Sequence, residues 1–125
     1  MNIPSELKYS NDHEWVKVLP DGTVEIGLTD YAQDALGDVV FVNLPEEGDA
    51  LSAGDVLGDV ESVKAVSDVL CPVGGTVSEV NEAILDSPES INKAPYEAWF
   101  IRLKDAEGVD DLMDAAAYEE FLGTL

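Results

Sequence analysis

Between Val39 and Val80 every apolar run is cut short by a bend-forming residue within a few positions. Val39-Val-Phe-Val42, Val56-Leu57, Val60 to Val63, Val66 to Val73 and Thr76 to Val80 read as short β runs. Gly-Asp pairs at 48–49, 54–55 and 58–59, with Pro45, Pro72 and Gly74-Gly75, mark the bends. Many short strands at such close spacing point to a small sandwich or barrel.

The flanking segments extend this β body. Trp15, Val16 and Val18 lead into the turn Leu19-Pro-Asp-Gly22, and Val24, Ile26 and Leu28 alternate with polar or small residues after it, as in a strand pair. Thr29 to Leu36 reads as a short helix, capped by Thr29 or Asp30 and stopped at Gly37. Ser87-Pro88 suits the first turn of another short helix, and Trp99 to Leu103 reads as a returning strand. A last helix is expected from about 110 to 122, its apolar stripe formed by Met113, Ala117, Tyr118, Phe121 and Leu122. No linker-like segment divides the chain. Residues 1–125 therefore read as one domain, mainly β, a small barrel-sandwich with a few short helices and a C-terminal helix.

With 125 residues and an apolar share of 46%, the chain is long enough and apolar enough to bury a core, so its acidity is no sign of disorder. Twenty-seven acidic residues against six basic ones give a net charge of -21. That charge favours a soluble monomer and disfavours nucleic acid and anionic membranes, leaving proteins with basic docking faces as the expected partners. One cysteine rules out an internal disulfide. Met1-Asn-Ile-Pro-Ser-Glu6 has no basic apolar lead, and a reducing cytoplasm is the expected setting.

Within this acidic chain, Glu61-Ser-Val-Lys-Ala-Val-Ser-Asp68 is nearly a mirror of itself about Lys64 and Ala65. Folded as a hairpin over 56–73 with a two-residue turn, it sets Val63 opposite Val66, Ser62 opposite Ser67 and Glu61 opposite Asp68. Neither Lys nor Ala favours positive φ, so an unprimed turn is expected. The arms grow more apolar toward the base, which anchors them in the core and leaves Lys64 at the apex in water. The lysine then has two readings: a surface charge offsetting Glu61 and Asp68, or an amine held out for modification, whose acylation would remove its charge.

Glu61-Ser-Val-Lys-Ala with Ser67-Asp68 resembles the lipoylation motif of the glycine cleavage system H-protein family. "KYSNDHEWV" at 8–16, "IGLTDYAQDALGDVVFVNLP" at 26–45, "VNEAILDSPESIN" at 80–92 and "PYEAWF" at 95–100 resemble that family in order and spacing. Biotin carriers usually set methionines on both sides of the lysine, where this chain has Val63 and Ala65. Lipoyl domains of 2-oxo acid dehydrogenases commonly place an acidic residue before it and lack the N-terminal strand-helix region and closing helix.

The resemblance implies a lipoyl/biotinyl-carrier-like fold and a non-catalytic carrier with lipoic acid in amide linkage to Lys64, the hairpin being recognised through Glu61, Ser67 and Asp68. It further implies three partner enzymes: a pyridoxal-phosphate glycine decarboxylase (P-protein), an aminomethyltransferase (T-protein) passing one carbon to tetrahydrofolate, and a flavin-dependent dihydrolipoamide dehydrogenase (L-protein). A lipoate-attaching enzyme would install the arm. A loaded aminomethyl group is prone to hydrolysis, so a shielded cleft with carboxylates is expected, Glu14 and Asp68 being the candidates. Ala35 and Ala98 stand where the family usually has histidine and glycine. Residue patterns alone leave open a lipoyl relay or scaffold of another lipoate-dependent pathway, and a free-standing carboxylate enzyme.

Other signals have plainer readings. His13, the only histidine, has no accompanying nucleophile motif and suits a structural or cleft-edge role. Cys71 suits buried packing. The run Asp105 to Asp111 departs from the calcium-loop pattern, and Asp110 and Asp111 are expected to cap the last helix. No metal site is expected.

Overall fold

The computed structural model describes residues 1–125. Six strands form one antiparallel sheet: β1 (Lys8–Tyr9), β2 (Glu14–Val18), β3 (Val24–Leu28), β5 (Ala50–Leu51), β8 (Gly74–Val80) and β9 (Ile101–Glu107), in the order β1-β2-β3-β9-β8-β5. The other three, β4 (Val39–Asn43), β6 (Val56–Ser62) and β7 (Val66–Leu70), form a second sheet in the order β4-β6-β7. The inward residues of both sheets, among them Ile26, Val42, Val60, Val69 and Leu103, share one buried core of 18 residues. The expected mainly β sandwich is the observed fold.

Local sequence explains most of these elements. Strands β2 and β3 pair from Glu14 opposite Leu28 to Val18 opposite Val24, joined by the Pro-Asp-Gly turn. Gly27 lies opposite Trp15, where any side chain would meet the indole at 2.6 Å. The helix α1 (Asp30–Leu36) is capped by Thr29, whose hydroxyl accepts from Ala32 N, and it ends at Gly37 with φ 76°. Two single-turn helices, α2 (Ala83–Asp86) and α3 (Ser90–Lys93), flank Ser87-Pro88. Proline sits in the turn between them rather than opening only the second.

Three expectations are corrected. The returning strand runs from Ile101 to Glu107, two residues later than Trp99 to Leu103, and takes in acidic residues read as loop. Its pairing with β8 carries it past the apolar segment, and Asp105 adopts φ 54° where the register shifts. The last helix, α4 (Ala115–Leu122), is shorter than expected. Asp110 and Asp111 lie in a separate 3-10 turn, Met113 bridges Tyr9 through two backbone bonds, and Asp114 caps the helix by accepting from Ala117 N. Ala117 is exposed.

The anchor of α4 is Tyr118, fully buried and stacked on Tyr9 at 4.7 Å beside Trp15. Burying one such ring is worth roughly 1.5–3 kcal/mol, enough to hold an eight-residue helix that would not persist alone. Ala98 is buried in the main core, so its methyl is accommodated there.

The third correction is the hairpin. Glu61 pairs with Val66, Val60 with Ser67, and Asp59 with Asp68. The connection is thus a four-residue loop, Ser62 to Ala65, not a two-residue turn on Lys64-Ala65. No loop residue has positive φ, in keeping with the unprimed turn.

Candidate functional site

Ser62 organises the loop. Its N–H donates to Ala65 O at 2.8 Å, and its hydroxyl oxygen accepts from the N–H groups of Lys64 and Ala65, both at 3.2 Å. A side-chain oxygen thus does what a primed turn would otherwise do with left-handed residues. Val63 N donates to Asp38 O at 3.0 Å, tying the tip to the end of α1. The loop therefore has a defined shape while its lysine stays in solvent.

Lys64 is exposed and makes no ion pair; both ion pairs in the molecule belong to Arg102, with Glu25 and Glu79. The charge-offset reading fails on this geometry. Glu61 and Asp68 are not across from one another, and neither reaches the ammonium. Asp68 instead faces Asp59, whose carboxylate accepts from Asn43 Nδ2 at 2.7 Å. The lysine methylenes lie over Gly37: a Cβ there would stand 3.2 Å from Lys64 Cε. Glycine serves two purposes at this position: it takes the positive φ with extended ψ that stops the helix, and it leaves room for the lysine stem.

Beyond Gly37 lies a cavity of about 190 Å³ between α1, the start of β2 and the edge of β7. Glu14, His13, Tyr31, Ala35, Ser67 and Asp68 are among its lining residues. Ala32, Ala35 and Leu36 on α1 line it too, so one helix joins the lysine stem to the cavity. At 1.5 Å per residue the track from Gly37 back to Ala32 is about 8 Å long. Ala35 contributes a small apolar side chain to that track.

Glu14 is 2% exposed. Ser10 donates its hydroxyl to Glu14 Oε1 at 2.6 Å and accepts from Glu14 N at 3.1 Å. Burial pushes the carboxyl up to about 8, nearby Asp12 adds to the rise, and the Ser10 bond opposes it. At neutral pH the group is mostly protonated, and a cation entering the cavity would favour its ionisation. Asp68, by contrast, is exposed, so the two expected carboxylates share a cavity but not an environment.

Sequence reasoning missed what holds the opposite wall. Ala32 N donates to the Thr29 hydroxyl, which lies 2.8 Å from Tyr118 OH, itself 2.9 Å from His13 Nδ1. His13, at φ 68°, also packs against Tyr31, ring centroids 4.4 Å apart and planes tilted by 35°. Desolvation lowers its pKa, and Tyr118 OH donating to Nδ1 suits the neutral ring. His13 is thus the cleft-edge residue expected, but its partner lies 105 residues away, where no local pattern could reveal it. Cys71 is buried, with Sγ 3.0 Å from Val73 O, and burial raises its thiol to about 11.

Two small antiparallel sheets, closed over a shared core and projecting a bare lysine from a β-hairpin, define the lipoyl- and biotinyl-carrier class. Within that class, the sequence model of the glycine cleavage H-protein matches residues 7–124. The chain is 55% identical to glycine cleavage system H protein 2 of Pseudomonas syringae pv. tomato, covering 98% of each chain. It is 56% identical to the probable glycine cleavage system H protein of Pyrococcus furiosus, over 98% of this chain and 94% of that one. The crystal structure of a glycine cleavage system H protein from Mycobacterium marinum superposes with a TM-score of 0.89 at 43% identity, covering 97% and 99% of the two chains. The chain belongs to the glycine cleavage H-protein family. Members of that family are non-catalytic carriers that hold lipoic acid on a lysine.

Proposed function

We propose that this chain is the lipoylated carrier of a glycine cleavage system, with lipoic acid in amide linkage to Lys64 Nζ. The observation that carries the reading is the state of that amine: exposed at the hairpin tip, without an ion pair, in a chain of net charge -21. Acylation there leaves no buried or paired charge behind. The attached group would supply a dithiolane whose disulfide is reduced as it takes up an aminomethyl group and which, once that group has left, gives the two electrons up again.

The chain's own residues bind and shield. Ser62 fixes the loop, Gly37 seats the stem, and the α1 face leads the arm to the cavity. Glu14 is placed to pair with a protonated amine at the cavity end, with Asp68 at its rim; Glu61 and Ser67 mark the hairpin for recognition. The carrier would visit glycine decarboxylase, aminomethyltransferase and dihydrolipoamide dehydrogenase in turn, after a lipoate-attaching enzyme has modified it. A monomer working in the cytoplasm fits the strong self-repulsion, and no helix is long and apolar enough to cross a membrane.

Intact and peptide mass spectrometry of protein from its native source should show a lipoyl increment on Lys64. Reconstitution with the three enzymes and carbon-labelled glycine should release labelled carbon dioxide. An unmodified Lys64 in active protein would sink the assignment. Lipoylation without glycine breakdown would favour a relay in another lipoate-dependent pathway.

A further inference from the structure

The outer face of the three-stranded sheet carries an apolar surface that neither the core nor the cavity uses. Phe41, Glu61 and Val66 lie side by side in one register row across β4, β6 and β7. Phe41 and Val66 are 50% and 62% exposed, and Val63 at the loop is 67% exposed. Val40, at the bulge in β4, adds another exposed side chain. The next row outward is polar: Asn43, Asp59 and Asp68. An apolar patch thus borders the lysine tip, interrupted by one carboxylate and edged by two more.

Position selects the occupant. At about 3.3 Å per strand residue, the row of Phe41, Glu61 and Val66 is roughly 10 Å from Lys64 along the hairpin. A standard interface buries about 800 Å² on each partner, a disc of roughly 16 Å radius. A footprint of that size centred on Nζ takes in this row. Enzymes acting on the distal end of a lipoyl arm need not cover it. A second copy of the chain is disfavoured, because it would set Glu61, Asp59 and Asp68 against the same acids at net charge -21 each.

We propose that the patch formed by Phe41, Val63 and Val66 is the docking surface for the enzyme that acylates Lys64, and that this enzyme presents an apolar centre with an Arg/Lys rim. This inference rests on the lipoyl reading above. In the step served, neutral Nζ attacks the acyl carbon of a lipoyl adenylate. The acyl–phosphate bond breaks, its electron pair leaves on AMP, and Nζ gives up one proton.

The test uses the full-length apo protein, a lipoate–protein ligase, lipoate and ATP, with initial rates read by intact mass. Phe41→Ser with Val66→Thr should lower kcat/KM about tenfold, mainly through KM, the order expected for truncating an interface aromatic. Val66→Thr alone, a β-branched replacement suited to the strand, should give a smaller loss in the same direction. Acetylation of Lys64 by a small N-hydroxysuccinimide ester should proceed at the wild-type rate in both variants, and their urea midpoints should match wild type. An unchanged ligation rate would overturn the proposal, as would equal slowing of ligation and small-molecule acetylation. So would normal ligation followed by slowed glycine turnover, which would move the patch to an enzyme of the distal arm. A wild-type dimer dissolved by the substitutions would assign the patch to a second copy. Failure of wild-type apo protein to accept lipoate at Lys64 would instead overturn the lipoyl reading itself.

Discussion

The hairpin tip and the cavity are the two ends of one route, and they are built in opposite ways. At the tip, Lys64 is wet and unpaired, its backbone held by Ser62 and its stem resting over Gly37. At the cavity, Glu14 is dry, bonded to Ser10, and faced by a histidine locked through Tyr118 and Thr29. An attachment point must be reachable and must lose its charge without leaving a buried partner unpaired. A storage site must exclude water, and exclusion strengthens any ion pair formed inside it. Separating the two by a short helix lets each environment be tuned without disturbing the other.

The sharpest break in this comparison is Lys64→Arg. It should abolish the lipoyl mass increment and glycine turnover while shifting folding stability by no more than about 0.5 kcal/mol, as for an exposed, unpaired side chain. A large stability loss in urea titration would show that the tip is structural after all.

Next in size is the pH response of the cavity. Glu14 is raised from its ordinary 4.5 to about 8 in the fold, so the folded state holds its proton through a range where the unfolded chain has released it. Its contribution to stability is therefore complete below about pH 4.5 and is lost as pH rises to about 8, then levels off. The span is on the order of a few kcal/mol. Urea midpoints across this range should decline less steeply in Glu14→Gln than in wild type; parallel curves would remove Glu14 as the source.

A smaller effect concerns function at the same site. Glu14→Gln with Asp68→Asn should speed loss of a loaded aminomethyl group about tenfold, the value of one charge-assisted hydrogen bond. An unaltered hydrolysis rate would reduce both residues to solvated or packing acids. Smallest is Tyr118→Phe, which removes the hydroxyl between Thr29 and His13 and should cost about 1 kcal/mol. The His13 titration followed by NMR should move with it, and a titration identical to wild type would show that the cavity wall does not depend on α4.

How much of this was legible follows from the range of each interaction. The β runs, the Thr29 cap and the Gly37 stop are local signals and reappear in the fold, although the runs at 56–57 and 60–63 merge into one strand ending at Ser62 and the run from Val66 stops at Leu70. The apex position of Lys64 was legible too, because apolar arms around a polar centre can be read along the chain. The hairpin register was not: the mirror symmetry of the segment suggested pairing like with like, but Ser62 widens the loop and moves every partner. Strand β9 ran past its apolar stretch because β8 supplies its hydrogen bonds. Helix α4 began late because Tyr9 holds Met113 extended.

By itself, then, the amino-acid order determined the class of fold, the lysine and the family, since alternation, turn residues and a full-length motif survive in one dimension. Folding alone decided that Glu14 would be buried and largely uncharged, that His13 would bond to a tyrosine from the other end of the chain, and that Lys64 would have no partner. Those outcomes depend on desolvation and on distances between segments far apart in sequence. Neither quantity exists until the two sheets close on each other.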